Sequence, residues 1–176
     1  MASDSEIHGL YFEDLSIGLT AVYGRTVTEA DIVLFSGISG DTNPVHLDQE
    51  FASGTMFSGR IAHGMLTAAF ISTVIGTRLP GPGAIYVGQT LRFKAPVRVG
   101  DTISARATVT ALAPEKRRAT LATVVTVGGK VVLEGEAEVL VPRRPAQQAD
   151  ANGRAYDGTA AKPPTPAKVG QRAGAI

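Results

Sequence analysis

The sequence has no cysteine and no tryptophan, and only 6% of its residues are aromatic. Without cysteine the chain can form no disulfide, no thiolate nucleophile and no Cys-ligated zinc site. No basic segment followed by an apolar run stands at its N-terminus, so we expect no signal peptide and a cytoplasmic location. Hydrophobic residues nevertheless make up 44% of the 176 positions, which is enough for one domain with its own core.

Charge is sparse and unevenly placed. Residues 1–142 hold eleven Lys or Arg and fourteen Asp or Glu, whereas residues 143–176 hold six Lys or Arg and two Asp. The larger part therefore lacks the clustered positive charge that is typical of nucleic-acid binding. The second part is rich in Ala, Pro, Gly and Gln and cannot bury enough apolar surface to offset the entropy of ordering. We predict a folded domain over 1–142 and a flexible tail or linker over 143–176.

The stretch 64–77, GMLTAAFISTVIGT, contains no charged residue. A helix that is apolar nearly all round is buried on most of its sides. It is too short to cross a bilayer, which takes about 20 apolar residues, so we expect no membrane insertion. The sequence predicts a buried helix that ends before LPGPG at 79–83, since proline and glycine both oppose its continuation.

From residue 85 onward, apolar and polar residues alternate with the period of a half-buried strand. The alternation covers 89–99 and 102–112. Two further β-rich segments, 117–127 and 130–141, are joined by Gly128-Gly129, a strong signal for a two-residue hairpin loop. The sequence therefore predicts four consecutive antiparallel strands.

Upstream, the residues of 19–27 predict one earlier strand. Thr28 and Asp31 then form a variant capping box, with Asp in place of Glu or Gln, which starts a helix that ends near Gly37–Gly40. A short helical turn is predicted at 48–53. The apolar face of the first helix comprises Ile32, Leu34 and Phe35.

Together these elements indicate an α+β fold in which a sheet with one apolar face wraps around a single buried helix. Five strands are too few to cover that helix on all sides. We therefore expect a homodimer whose sheet edges pair.

Asp41 and His46 lie five positions apart within GDTNPVH, between two glycine- and proline-containing turns. A rigid loop that presents a carboxylate and an imidazole can hold a water molecule, and histidine can exchange a proton with that water near neutral pH. The same spacing also fits an aspartate that caps a turn and a loop histidine with a satisfied hydrogen bond. Spacing alone leaves both interpretations open.

His63 and Gly64 stand where the apolar helix begins. The first N–H groups of a helix lack internal partners, and the helix dipole is positive there, so this end suits a carbonyl that gains negative charge. Gly64 would let a ligand approach the backbone closely. For His63 we favour the alternative that it only caps the helix.

Two motifs, SGDTNPVHLDQEFA and IAHGML, resemble the signature of the MaoC-like dehydratases, in particular the (R)-specific enoyl-CoA hydratases. The later stretch LPGPGAIYVGQTLRFKAPVRVGD is also similar to that family, and the resemblance covers about residues 20–141. It implies a hot dog fold, a curved antiparallel sheet wrapped around a central helix, in a homodimer or a larger assembly.

The resemblance also implies the site residues. Asp41 and His46 match the catalytic pair, and Gly64 matches the residue whose backbone N–H polarises a thioester carbonyl. The positions expected to contact or shape the substrate site are Asn43, His63, Ser72 and Ile75. Ser72 matches a supporting serine, although a helix serine often bonds its own backbone. Ile75 matches a position that limits acyl-chain length.

The activity implied is addition of water to a trans-2-enoyl thioester, giving an (R)-3-hydroxyacyl-CoA, or the reverse dehydration. Acyl-CoA, or an acyl group on acyl carrier protein, is the expected partner, with no metal or redox cofactor. Arg92, Lys94 and Arg98 could meet the CoA phosphates, but a solvated strand face is the interpretation we favour.

Three alternatives remain open at the level of sequence. The chain could be the hydratase part of a larger enzyme that also carries a phosphate acyltransferase. It could be a thioesterase of the same fold, although those usually place an acidic residue on or near the central helix and 64–77 has none. It could also be a non-catalytic module that binds acyl-CoA.

Overall fold

The computed structural model describes residues 8–145, which form four helices, five strands and two short 3₁₀ turns. The helices are α1 (Glu29–Ser39), α2 (Pro44–Leu47), α3 (Gln49–Ser53) and α4 (Gly64–Thr77). The strands are β1 (Thr20–Thr26), β2 (Ile85–Phe93), β3 (Thr102–Ala113), β4 (Arg118–Val127) and β5 (Lys130–Leu140), and the 3₁₀ turns are Phe12–Asp14 and Pro114–Lys116.

The five strands form one sheet in the order β1-β3-β4-β5-β2, with every neighbouring pair antiparallel. This confirms the predicted strand number and the hairpin at Gly128-Gly129. The alternation predicted for β3 holds up to Val109. A bulge then shifts the register, so Ala111 is exposed and Leu112 packs against the core instead.

The strand predicted at 89–99 is wrong in its second half, because β2 ends at Phe93. Lys94 and Ala95 still donate to the carbonyl of Val132, at 2.8 and 3.3 Å, but Pro96 has no N–H to donate. Beyond it, the carbonyl of Val97 accepts from the N–H of Ala62 at 2.7 Å. The segment therefore leaves the sheet and pairs with the chain that leads into α4.

Helix α1 begins and ends as the sequence predicts. Thr28 accepts from the N–H of Asp31, and the Asp31 carboxylate accepts from the N–H of Thr28 at 2.8 Å, so both arms of the capping box are formed. Gly40 ends the helix in the left-handed region, at φ 76°, which favours glycine.

The predicted apolar face of α1 is partly wrong. Leu34 is 64% exposed, whereas Ile32 and Ser36 are buried. Residues four apart share a helix face and residues two apart do not, so Ile32 and Ser36 point inward together while Leu34 points away. A polar side chain thus stands on the buried face of this helix.

Helix α4 packs against β1, β2, β3 and β4 and buries one face in the core, which confirms the central helix. The buried positions are Leu66, Thr67, Phe70, Ile71, Val74 and Ile75. The opposite face of the single chain is exposed and comprises Met65, Ala69, Ser72 and Gly76. Over the described part of the chain, no helix has the length and apolar character needed to traverse a membrane.

The C-terminal end of β5 is tied to the N-terminal segment. The N–H of Phe12 donates to the carbonyl of Pro142 at 2.9 Å, and the Arg144 guanidinium pairs with Asp14 at 2.6 Å. Contacts of the domain therefore extend to Arg144. From residue 146 onward, the tail predicted over 143–176 lies outside the described residues.

Candidate active site

The loop after α1 is shaped by side chains that hydrogen-bond the backbone. Ser39 Oγ accepts from the N–H of Asp41, and the Asp41 carboxylate accepts from the N–H of Asn43, both at 3.2 Å. Asn43 in turn caps α2 by accepting from the N–H of Val45 at 3.2 Å, and Pro44 occupies the first helical position. The sequence predicted a loop here, but the proline and the cap build one helical turn that carries His46.

The imidazole of His46 is buried and has a defined orientation. Its Nδ1 lies 2.9 Å from the carbonyl oxygen of Ile61, which can only accept, so Nδ1 carries the proton and Nε2 keeps its lone pair. Nε2 lies 4.0 Å from Oδ2 of Asp41. That distance is too long for a direct hydrogen bond but allows one water molecule to bond both atoms.

Burial is the largest influence on the pKa of His46 and lowers it below the ordinary value of 6.5. The hydrogen bond to the Ile61 carbonyl opposes this effect, His63 lowers the pKa further, and Asp41 raises it. The net shift is downward, so His46 is neutral at neutral pH and can accept a proton.

His63 is 1% exposed and contacts both the loop and α1. Its Nε2 lies 3.0 Å from the carbonyl oxygen of Asp41 and 3.2 Å from Oγ of Ser36. Its ring lies against that of His46, with centroids 3.7 Å apart and the planes tilted by 31°. His63 occupies the N-cap position of α4, as predicted, but its side chain makes no capping hydrogen bond.

Gly64 begins α4 beside a cavity of about 300 Å³ that is also lined by Phe57, Thr67, Phe93 and Val97. A Cβ at position 64 would lie 2.8 Å from Cε1 of Phe93, so a side chain here would collide with the ring. The N–H of this first helical residue has no partner within the helix. A ligand carbonyl in the cavity can therefore reach it.

Two of the predicted substrate residues lie elsewhere in the single chain. Ser72 is exposed on the outer face of α4, and its hydroxyl has no hydrogen-bond partner among residues 8–145, so it does not bond its own backbone. Ile75 is 3% exposed and belongs to the core. Neither side chain lines the cavity beside Gly64.

Among the three basic residues of 92–98, two have protein partners. Lys94 pairs with Glu134 at 2.7 Å, and the Arg98 guanidinium donates to the carbonyls of Phe57 and Arg60. Arg92 lies opposite Glu134 in the register of β2 and β5. These contacts favour a structural role for the basic residues over phosphate binding.

Sequence reasoning missed two residues that support the loop. Arg60 donates through Nε to the carbonyl of His46 at 2.6 Å and pairs with Glu29 at 2.7 Å. Ser36 bonds His63 from the buried face of α1. The one available signal for Ser36 was its position four residues after Ile32, on the same face of the helix. Nothing in the sequence linked Arg60 to His46.

Asp41, His46 and His63 each place one potential ligand atom within 4.8 Å of the others. The imidazoles of His46 and His63 each use one ring nitrogen for a backbone carbonyl, and their ring centroids lie 3.7 Å apart with the planes tilted by 31°. The separation of 4.0 Å between His46 Nε2 and the Asp41 carboxylate also suits a bridging water molecule.

Comparison with known proteins identifies the family. The sequence profile described as MaoC like domain matches residues 17–133. An (R)-specific enoyl-CoA hydratase of Rhodospirillum rubrum is 59% identical over 143 residues, which cover 81% of this chain and 98% of that protein. A 3-hydroxybutyryl-CoA dehydratase of Methylorubrum extorquens is 53% identical over 139 residues, covering 79% of this chain and 88% of that protein.

The fold is similar to that of a solved hydratase. The unliganded R-hydratase of Pseudomonas aeruginosa superimposes with a TM-score of 0.73 at 47% sequence identity, and the match covers 77% of this chain and 88% of that one. The profile match, these identities and the sheet wrapped on α4 agree with one another. The chain therefore belongs to the MaoC-like dehydratase family and has its hot dog fold.

Proposed function

We propose that this chain is an (R)-specific enoyl-CoA hydratase, which adds water to a trans-2-enoyl-CoA and also catalyses the reverse dehydration. The observation that carries the proposal is the pairing of Asp41 with His46. A backbone carbonyl fixes the proton of His46 on Nδ1, and this leaves Nε2 as a base 4.0 Å from the Asp41 carboxylate. A base and an acceptor at this spacing can share one water molecule.

The thioester is activated at the start of α4. Its carbonyl oxygen would accept the N–H of Gly64, where the helix dipole is positive and no side chain intervenes. This contact withdraws electrons from the conjugated double bond, makes C3 electrophilic and stabilises the enolate-like transition state. The acyl group would occupy the cavity that borders Gly64.

The water molecule would be held by Asp41 and His46. His46 Nε2 accepts a proton from the water as its oxygen forms the bond to C3, and the imidazolium that results returns this proton to C2. The water thus supplies both the OH on C3 and the H on C2, and His46 returns to its neutral form. Burial of His46 supports this role, because the neutral imidazole is the form that accepts a proton.

We propose that the reaction needs no metal ion or redox cofactor. Hydration changes no oxidation state overall, and Asp41 and His46 are spaced to hold and activate a water molecule without a metal ion. The proposed partners are acyl-CoA and a second copy of this chain. In support of the second copy, the edge strand β2 exposes Ile85, Val87 and Phe93, and α4 leaves one face uncovered.

Turnover of crotonyl-CoA tests the proposal. The chain should remove the enoyl-thioester absorbance and give a product that is oxidised by an (R)-specific 3-hydroxyacyl-CoA dehydrogenase. Asp41→Asn and His46→Gln should each lower kcat by about 100-fold or more, the range in which general acid–base groups contribute.

Matched controls are available in the same chain. Asp48 caps α3 by accepting from the N–H of Phe51, so Asp48→Asn keeps a capping side chain while making the same chemical change as Asp41→Asn. His8→Gln serves the same purpose for His46. No turnover with crotonyl-CoA or with longer enoyl chains would sink the proposal. Retained acyl-CoA binding without turnover would favour the non-catalytic module.

A further inference from the structure

His63 takes no part in the mechanism described above, yet it is one of the most buried polar residues of the domain, at 1% exposure. It lies between three elements: the loop after α1, through Asp41; the buried face of α1, through Ser36; and α2, through the ring of His46. Because these contacts all lie at the candidate site, the position of this buried imidazole should affect the geometry of the site.

The partners of His63 determine its tautomer. The carbonyl oxygen of Asp41 can only accept, so Nε2, which lies 3.0 Å away, carries the proton and donates it. Ser36 Oγ, 3.2 Å from the same nitrogen, restrains the ring from the other side. Nδ1 is buried without a partner in the described chain, so the hydrogen bonds of this ring all pass through Nε2.

The hydrogen bond from His63 links Asp41 to the start of the central helix. Asp41 is exposed, and its other hydrogen bonds are local: they join it to Ser39, the last residue of α1, and to Asn43, which caps α2. His63 lies 22 positions further along the chain, at the start of the central helix. Its hydrogen bond therefore fixes the backbone of Asp41 relative to the core.

The same segment also holds the second member of the pair. Ile61 accepts from Nδ1 of His46, and Arg60 donates to the carbonyl of His46. Both Asp41 and His46 are thus positioned by residues 60–63. The separation of Asp41 from His46 then depends on one rigid segment rather than on the loop alone.

We propose that His63 is a positioning residue: its Nε2–H, restrained by Ser36, holds the backbone of Asp41 at the distance from His46 that lets one water molecule bond both. This inference rests on the hydratase function proposed above. It assigns to His63 no contact with substrate and no proton transfer.

Two substitutions of His63 test the inference. In His63→Ala the Asp41 backbone loses its donor, and kcat should fall about 10- to 100-fold, the usual cost of losing a supporting hydrogen bond or misplacing a reacting group by about 1 Å. KM for crotonyl-CoA should change less than about threefold, because the acyl group binds at Gly64. In His63→Gln an amide N–H can replace Nε2–H, and kcat should recover by about tenfold relative to His63→Ala.

A third substitution separates a specific effect on kcat from a general loss of stability. Ser36→Ala removes only the hydroxyl that restrains the ring, so His63 keeps its bond to Asp41, and kcat should fall by about two- to fivefold with a loss of thermal midpoint no larger than that of Thr123→Val. Thr123→Val is the matched control for stability. Thr123 is fully buried and accepts from Gln89 at 3.1 Å, far along β4, so its loss should lower the thermal midpoint and leave kcat within about twofold.

The outcomes separate the two proposals. Turnover by the wild-type chain with unchanged kcat in His63→Ala overturns the positioning role and leaves the hydratase function standing. So does a His63→Gln variant as slow as His63→Ala, or a Thr123→Val variant that loses as much kcat at equal loss of stability. Absence of turnover in the wild-type chain instead overturns the hydratase function itself.

Discussion

At the scale of single residues, the properties of His46 depend on a backbone carbonyl rather than on another acidic side chain. The Ile61 carbonyl selects the tautomer with the proton on Nδ1. The groups that face the imidazole with charge or titratable character are Asp41 and His63. Of all influences, burial is the strongest, and it favours the neutral form.

The dependence of activity on pH should reflect the burial of His46. As the pH falls, kcat/KM of the wild-type chain should decline only below pH 6.5, because the pKa of His46 lies below its ordinary value of 6.5 and the neutral form is the active one. Initial rates with crotonyl-CoA across pH 5 to 9 in constant-ionic-strength buffers would check it, with about pH 6.5 as the dividing line.

Stability must be followed alongside the rates. Between the lowered pKa and 6.5 the unfolded chain binds a proton at His46 that the folded chain does not, so the contribution of this residue to the free energy of unfolding decreases as the pH falls through that window. Circular dichroism at each pH separates inactivation from unfolding. An acid limb centred above pH 7 would contradict the assignment of His46 as the base.

At the scale of elements, the candidate site lies where the start of α4 approaches the end of β2. The first residue of α4 lies under the ring of Phe93, the last residue of β2. That ring is 51% exposed, so it can turn aside without disturbing the core. A side chain at position 64 should therefore reduce activity more than it reduces the stability of the fold.

Substitution of Gly64 tests this arrangement. In Gly64→Ala a methyl group would project against Phe93, which lines the cavity, and we expect it to obstruct the N–H. The value of kcat/KM should then fall about 100- to 1,000-fold, as when an oxyanion donor is lost, while the fold persists. Gly37→Ala is the matched control, because Gly37 lies in α1 with no atom within 4 Å of an added Cβ. It should keep activity and gain about 0.5–1 kcal/mol in stability.

A double variant distinguishes blockage from displacement of the ring. Gly64→Ala combined with Phe93→Ala removes the collision. If the methyl group itself blocks the carbonyl, the double variant stays as slow as Gly64→Ala. Recovery of kcat/KM in the double variant would mean that the displaced ring, and not loss of access to the N–H, caused the defect.

Elements with local signals were predictable from the sequence, and contacts between distant residues were not. The capping box at Thr28, the Gly128-Gly129 hairpin and the charge-free helix at 64–77 each depend on residues close in sequence, and all three are confirmed. The early end of β2 depends on Pro96, which has no N–H, and on the pairing of Val97 with the distant Ala62, which only the folded chain shows.

The same contrast between local signals and contacts between distant residues applies to the candidate site. Asp41, His46 and Gly64 were recognisable because their motifs are contiguous. The bonds from His63 to Ser36 and Asp41 span 27 and 22 positions, and only the folded chain brings those residues together. Sequence reasoning therefore named Asp41, His46, His63 and Gly64 as candidates but could not predict the long-range contacts that hold them in place.

At the scale of the whole molecule, the single chain leaves apolar surface uncovered at one edge of its sheet. Strand β2 exposes Ile85 by 59% and Val87 by 43%, and its outer edge has no neighbouring strand among the described residues. Edge strands of this kind associate unless charge or proline prevents it. This supports the proposal that two copies pair along β2.

Light scattering after size exclusion would test the pairing. The wild-type chain should have twice the 18.3 kDa mass of one chain. Val87→Lys places like charges close together across a β2–β2 contact and should shift the mass to that of one chain. Val33→Lys on α1, where the native valine is 51% exposed, is the control and should remain a dimer. A wild-type mass of 18.3 kDa would refute the dimer.

The dependence of both reacting residues on 60–63 has a consequence for protein engineering. Transplanting GDTNPVH onto another hot dog scaffold would supply Asp41 and His46 but neither the carbonyl of Ile61 nor the donor of His63. The imidazole could then adopt either tautomer, and the Asp41 carboxylate would no longer be held at a fixed distance from it. A transplant must therefore carry both segments, 40–46 and 60–63, in the relative placement that the thirteen residues between them provide.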